Sequence, residues 1–517
     1  MIDHGHDEAG FNFILLIARQ MQYCLDGCKT PYGSLTGLLA AAFLAVTLLT
    51  GCATNPVTGK SDFVLMSEDQ EIALGRQYNA EMLARNPELD DPELSAYVQR
   101  VGEQLAQNSH RPELIYRFTV MDTVDVNAFA LPGGYIYITR GLLVYLNSEA
   151  ELAAVLGHEI GHVTARHSVR QYSAATATGV LGAVIAAAAG VQGAGDLTNI
   201  LGTAIVRGYG REHELEADRL GAQYLARSNY DPQAMINVIE VLKDQEEFDR
   251  QLAEEEGREP RAYHALFATH PTNDRRLQEV VAAARQLQKS SQPRVNRNAF
   301  LKQLEGVPFG NGEADGILRE NRFYHKELDI ALEFPVGWRL ENLPDRLVAI
   351  APGNGGMLTV TMQDLNRRIP PQEFLTKRLE LKDLRNGEDI SGSGLVGYTA
   401  IADIRTGYGR RLARYVVLYH ENRALIFMGV AKNARDPFRY DKEFLSTARS
   451  FHTLTPAERE LARAKRLHLI RANTATRFRN LARQSPISDH PEEQLRLLNG
   501  LYPDGEPIAG RQIKVVR

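Results

Sequence analysis

A chain of 517 residues is too long for one hydrophobic core, so about two to four domains are expected. With 44% hydrophobic and 24% charged residues it has the make-up of a globular protein, not a disordered or fibrous one. A formal net charge of −5 argues against a nucleic-acid partner, and the locally basic stretch from Phe451 to Arg517 reads as a solvated face.

The three cysteines, Cys24, Cys28 and Cys52, all stand near the start, so no disulfide framework braces the folded part. From Leu35 to Leu49 the chain is uncharged and largely apolar, with Lys29 ahead of it and small residues behind. That is the length of a secretory signal's apolar segment, and short of the ~20 residues a spanning helix needs. The ending "LTGC" resembles the lipobox of bacterial lipoproteins, which are cut before the cysteine and acylated on it. The resemblance implies a signal over residues 1–52 and a lipid on Cys52. With Ala53 rather than Asp next, it also implies a place on the periplasmic face of the outer membrane. At ~0.8 kcal/mol per buried methylene, several acyl chains make a firm anchor. The leader ahead of Lys29 is long for such a signal, which makes Met21 the expected start. Residues 53–66, with "NPVTGKSD", read as a polar tether.

At Ser67 a helix signal begins, where Ser67 and Gln70 make a capping box ahead of "EIALGRQYNAEMLAR". A second helix lies in "DDPELSAYVQRVGEQLA", with Pro92 in its first turn. Neither carries chemistry; both read as scaffold. The hydrophobic period then changes to two. Tyr116–Met121 and Tyr135–Thr139 read as half-buried strands, with Pro132, Gly133 and Gly134 as a turn or hairpin signal between them. Two readings stand: a plain structural hairpin, or an edge strand over an active site. In the second, Asn127, Ala128, Phe129 and Ala130 pair with an extended peptide by β-augmentation.

In "ELAAVLGHEIGHVTARH" two histidines, His158 and His162, stand four residues apart, on one face of a helix. Neutral imidazoles suit Zn²⁺, and Glu159 sits where it reaches a water rather than the ion. Asn147, Ser148 and Glu149 cap the helix. Leu152, Val155, Leu156, Ile160 and Val163 bury it, while Gly157 and Gly161 admit another backbone closely. A buried helix that merely carries histidines has the same flanks, so a catalytic zinc needs a third ligand downstream. "YGREHELEADRLGAQYLARSNYD" offers one: Glu214 and Asp218 share a helical face and Glu216 points elsewhere. Spacing alone leaves Glu212, Glu214 and Glu216 open.

H-E-x-x-H from His158, followed by E-x-x-A-D from Glu214, resembles the zinc metallopeptidases related to HtpX and the CAAX prenyl endopeptidases. The likeness is closest to their periplasmic BepA-like lipoprotein branch. "NAFALPGGYIYITRGLL" and "ATHPTNDRRL" match the family's patterns too, and the resemblance covers residues 67–286. It implies His158, His162 and Glu214 as ligands of one Zn²⁺ per chain and Glu159 as the general acid and base. Asp218 would accept an N–H from a ligand histidine or act as a proton donor. Glu216→Ala is expected to leave metal and activity in place. His110, His167 and His213 read as surface or packing histidines. His270 precedes Pro271, which biases it out of helical conformation and leaves it free to approach the site. It would serve there as an oxyanion donor or as a latching fourth ligand, or else simply cap the next helix.

Ala174 to Val191 is apolar, rich in Ala and Gly, and without flanking charge asymmetry, so two helices packed over the site are expected rather than a membrane-dipping segment. Residues 287–321 read as a linker. Residues 322–455 read as an α+β module, weakly similar to PsbP-like domains in "FPVGW" and without a catalytic constellation. Residues 456–517 resemble a degenerate LysM module in "LLNGL" and "AGRQIKVV". "RANTATR" replaces the Gly-Asp-Thr opening, which sets a packing role against peptidoglycan contact. The expected fold is therefore α+β: a mainly helical zincin-type peptidase domain with a small sheet, the PsbP-like module, and a small LysM-like module. The resemblance implies a zinc metalloendopeptidase of the bacterial envelope acting on unfolded or misassembled envelope polypeptides. The alternative is an outer-membrane protein assembly factor or chaperone with secondary proteolysis. Outer-membrane assembly machinery and peptidoglycan are the further candidate partners, and membrane contact would be through the lipid.

Overall fold

Capping residues start the helices where the sequence marks them. The computed structural model describes residues 52–176, 209–256, 274–288, 290–343, 345–392 and 395–517. Residues 1–71 with 169–200 form one compact unit, and 72–168 with 201–517 form another.

In the first unit, β1 (Cys52–Thr54) and β2 (Ser61–Phe63) pair antiparallel. The segment expected as a tether is thus a hairpin. Asn55 makes its turn locally, its Oδ1 accepting from the backbone N–H of Val57 (2.8 Å) and Thr58 (3.0 Å). Of the apolar run Ala174 to Val191, positions 177 onward lie outside the described residues. Among the described residues no helix is long and apolar enough to cross a membrane.

Helix α1 (Glu68–Arg85) begins with the capping box: the Gln70 N–H donates to Ser67 Oγ (3.2 Å) and the Ser67 N–H to Gln70 Oε1 (2.9 Å). In α2 (Pro92–Ala106) Asp91 accepts from the Leu94 N–H at 3.0 Å. A three-stranded sheet follows, made of β3 (Arg117–Met121), β4 (Ala128–Leu131) and β5 (Tyr135–Thr139) in the order β3-β5-β4. The Pro132–Gly134 turn joins β4 to β5, with Ala128 opposite Ile138, whereas β3 lies parallel to β5. The two strands marked by alternation are therefore parallel neighbours, and the hairpin partner is a strand that alternation did not mark.

Helix α3 (Glu149–Thr164) is capped by Ser148, whose Oγ accepts from the Glu151 N–H at 3.2 Å. It packs against α4 (Arg211–Arg227), and α5 (Ala234–Glu256) and α6 (Asp274–Arg285) complete the helical layer. Glu149, buried in the first turn of α3, is a hub. It accepts from the hydroxyls of Tyr97 and Tyr230 (2.8 Å for the latter) and from Asn296 Nδ2 (2.7 Å). Burial and the Glu149 carboxylate push both phenols well above their usual range. Glu149→Ala strips buried donors of their acceptor and removes a negative charge from a helix N-terminus. The variant is expected to lose about 3 kcal/mol or more of unfolding free energy in a denaturant titration.

Within 287–321, expected as a linker, the chain forms α7 (Arg297–Gln303), with Phe300 and Leu301 buried, and β6 (Pro308–Phe309). The fully buried Arg140 guanidinium donates from Nη1 to the carbonyls of Pro308 (3.0 Å) and Gly310 (2.8 Å) and fastens this stretch to the end of β5. Next come the three-stranded sheet β7 (Ile317–Arg319), β8 (Arg322–His325) and β9 (Ile330–Glu333), and then a seven-stranded antiparallel sheet. The larger sheet comprises β10 (Arg339–Leu343), β11 (Arg346–Ile350), β12 (Gly356–Asp364), β13 (Arg385–Gly392), β14 (Leu395–Thr406), β15 (Gly409–His420) and β16 (Arg423–Ala431), in the order β10-β11-β12-β16-β15-β14-β13. One face packs on α8 (Asp441–Arg449) through Phe444 and Ala448, and the other on Phe374 and Leu375. The last module runs β17 (Lys465–Arg471), α9 (Phe478–Ala482), α10 (Pro491–Leu498) and β18 (Gln512–Val516), with β17 between β18 and β6. Lys514 on β18 is fully buried, and its Nζ donates to the carbonyls of Val144 (2.7 Å) and Leu146 (2.8 Å), just ahead of α3.

Candidate metal centre

Two helices bring the site together, and three glycines let them approach. A β-carbon at Gly161 would stand 2.8 Å from the Ala217 carbonyl oxygen, and one at Gly221 would stand 3.0 Å from the His158 nitrogen. A β-carbon at Gly157 would meet the end of the Leu225 side chain at 2.8 Å and the Gly221 carbonyl oxygen at 3.4 Å, a looser contact than the other two. This contact sets α3 against α4 closely enough for side chains of both helices to meet at one point.

The donors that meet there are His158, His162 and Glu214. His158 Nε2 and His162 Nε2 are 3.0 Å apart, His158 Nε2 lies 3.4 Å from Glu214 Oε2, and His162 Nε2 lies 3.6 Å from Glu214 Oε1. Ligand atoms at the ~2.0–2.1 Å bond lengths of a tetrahedral zinc are separated by roughly 3.3 Å. Two imidazole nitrogens and one carboxylate at that spacing fit such an ion, with one position of the tetrahedron left to other ligands. Glu212 is exposed, which removes it from the choice that spacing left open.

His158 Nδ1 is 2.9 Å from Asp218 Oδ1. With Nε2 turned to the ligand point, Nδ1 carries the hydrogen and donates to Asp218, the arrangement expected of that residue. Burial alone would lower the pKa of His158, but hydrogen bonds and charge from Asp218 and Glu214 outweigh it and hold the imidazolium well above its ordinary range. A metal must displace that proton. Glu159 is buried on α3 beside His158, and its charge reaches Tyr209.

Tyr209, one residue ahead of the α4 N-cap Gly210, was not marked by the sequence. Its ring stacks on His162 (centroids 4.1 Å apart, planes 18° apart), and its hydroxyl bonds Ser168 Oγ at 2.6 Å. Burial, with the Glu159 and Glu214 charges nearby, pushes its phenol up.

His167 and Glu216 require a correction. His167 is buried, as a packing residue would be, but its Nδ1 lies 2.8 Å from His162 Nδ1. Its Nε2 lies 3.2 Å from Glu216 Oε2, so Glu216, expected to point away, reaches the site at one remove. His213 stacks on His167, and His110 bonds the Tyr224 hydroxyl at 2.7 Å. Asn127, Ala128, Phe129 and Ala130 run into and along β4, which is an edge of its sheet among the described residues and packs against α3. His270 lies outside the described residues, and so does the side chain of Cys52.

Residues 92–284 match the family model of Peptidase family M48. Among curated proteins it is similar to the "Beta-barrel assembly-enhancing protease" of Yersinia pestis, 34% identical over 262 residues, or 49% of this chain and 52% of that protein. The protein of the same name from Escherichia coli (strain K12) is 33% identical over 243 residues, 45% of this chain and 48% of that one. The "Mitochondrial metalloendopeptidase OMA1" of Schizosaccharomyces pombe is 27% identical over 229 residues, covering 44% and 64%. The chain thus spans about half the length of the first two relatives. Among solved structures, cyanobacterial PsbP (CyanoP) from Synechocystis sp. PCC 6803 is similar to 27% of this chain over 96% of its own, with 16% identity and a TM-score of 0.22.

Proposed function

We propose that the chain is a zinc metalloendopeptidase of the bacterial cell envelope that hydrolyses misfolded or unassembled envelope polypeptides, with one Zn²⁺ per chain held by His158, His162 and Glu214. The observation that carries this reading is the convergence of those three donors at tetrahedral spacing on paired, buried helices. The protease names of the relatives support it.

Bound there, zinc would polarise the scissile carbonyl and acidify water. The protein's own groups do the rest. Glu159 takes the proton of the attacking water on its carboxylate and returns it to the leaving amine. Asp218 holds the Nδ1–H of His158 and so keeps Nε2 directed at the ion. Asn127 and the β4 residues Ala128 to Ala130, at a sheet edge among the described residues, align an extended substrate chain by main-chain hydrogen bonds. His270 belongs to this reading either as a donor to the developing oxyanion or as a latch. A lipid on Cys52 would hold the enzyme on the periplasmic face of the outer membrane, among its substrates.

The test is degradation of an unfolded outer-membrane polypeptide by the purified chain. Cleavage is expected to stop when a chelator removes the metal and to return when one equivalent of Zn²⁺ per chain is restored. Cleavage that continues in the metal-free chain would refute the reading.

A further inference from the structure

The contacts from His162 through His167 to Glu216 allow their hydrogens to be assigned. Glu216 offers carboxylate oxygens, which accept, so His167 Nε2, at 3.2 Å, is the donor. In a neutral imidazole the other nitrogen then carries a lone pair, so His167 Nδ1 accepts. His162 Nδ1, at 2.8 Å, must therefore carry the hydrogen. That leaves His162 Nε2 as a lone pair, and this is the atom that faces His158 Nε2 and Glu214. The reverse assignment would put a hydrogen on His162 Nε2, pointed at the place where an ion must sit. An acceptor at position 216 thus selects, across an intervening ring, the tautomer in which His162 can bind a metal.

The backbone is shaped to hold this chain. Helix α3 ends at Thr164 with Ala165 as its C-cap, and Arg166 follows in the left-handed region (φ 54°), a conformation that non-glycine residues adopt at a cost. The reversal returns His167 onto His162 instead of letting it continue outward. His167 is then fixed in a buried slot by the stacked ring of His213 (centroids 4.4 Å, planes 22°) and the tilted ring of Tyr209 (5.7 Å).

We propose that His167 and Glu216 are positioning residues of the metal centre: Glu216, through His167, holds His162 in its metal-binding tautomer and ring orientation. Each ligand histidine then has its own carboxylate on α4, Asp218 directly for His158 and Glu216 through one imidazole for His162. This inference rests on the metal-centre reading and deepens it. Outer partners of ligand histidines are typically worth about 10–100-fold in metal affinity.

Zinc affinity of the full chain, measured by competition with a chromophoric chelator, tests the proposal. Glu216→Ala, at a partly exposed position that keeps the fold intact, is expected to weaken zinc binding by about tenfold or more. Glu216→Gln, whose amide oxygen still accepts from His167 Nε2, should recover most of that loss. His167→Phe keeps the ring packed against His213 without the hydrogen bonds, and it should lose at least as much as Glu216→Ala. The double variant should be no weaker than His167→Phe alone, because one chain is broken only once. Unchanged affinity in both single variants, or losses that add in the double variant, overturns the proposal. Failure of the wild-type chain to bind zinc would instead refute the metal-centre reading beneath it.

Discussion

Glu159→Gln is expected to leave zinc content, fold and polypeptide binding in place while lowering turnover by about 10²–10⁴-fold. Glutamine keeps the shape of a side chain that is almost wholly buried, so the packing of α3 does not change. What is lost is the only function an uncharged amide cannot perform, accepting a proton and giving it back. The environment gives the charge a purpose: Glu159 stands one residue from His158, within electrostatic reach of Tyr209, whose ring covers His162. Metal content by elemental analysis and turnover of an unfolded polypeptide, measured on the same preparation, check this result. Turnover within threefold of wild type would remove Glu159 from the chemistry. Turnover by the wild type and not by the variant would also separate a peptidase from a protein whose task is binding alone.

Gly161→Val acts through the helix pair rather than through any ligand. Its β-carbon would meet the Ala217 carbonyl oxygen at 2.8 Å and the Ala217 Cα at 3.0 Å, and these are backbone atoms that cannot swing aside. Helices α3 and α4 must move apart, and the movement separates His158 and His162 on one from Glu214 on the other. A misplacement near 1 Å costs on the order of 10²-fold in rate, and overpacking adds about 1–3 kcal/mol of destabilisation. Turnover is expected to fall about 10²-fold and zinc affinity to fall with it, with Gly161→Ala intermediate. A Gly161→Val protein with wild-type zinc affinity would show that the helix contact does not set the site.

The site was legible in the sequence to the extent that helical spacing encodes it. His158 and His162 lie on one face because they are four residues apart, and the Ser148 cap and the paired glycines were readable as local signals. What spacing does not encode is contact between elements. Tyr209 stacks on His162 from a position ahead of the next metal helix, and His167 is turned back by a left-handed Arg166 that no composition rule marks. Helical spacing turns Glu216 away from the face of Glu214 and Asp218, yet its carboxylate reaches His167, a residue from another element.

The same limit shows in the fold. Strand β4, "AFAL", is buried along most of both faces, so it shows no alternation, and alternation alone pairs β5 with β3 instead of with its hairpin partner β4. Residues 287–321 read as a linker, yet Phe300 and Leu301 are core residues and Arg140 gathers the carbonyls beyond them. Propensity is local, and these segments are ordered by tertiary partners.

Crystals of the zinc-loaded chain, with anomalous scattering recorded on both sides of the zinc absorption edge, address the central claim most directly. One anomalous peak per chain is predicted, about 2.0–2.2 Å from His158 Nε2, His162 Nε2 and a Glu214 carboxylate oxygen, with His162 Nδ1 still bonded to His167. A peak coordinated by Glu216 or Glu212 in place of Glu214, or no zinc between α3 and α4, would contradict it.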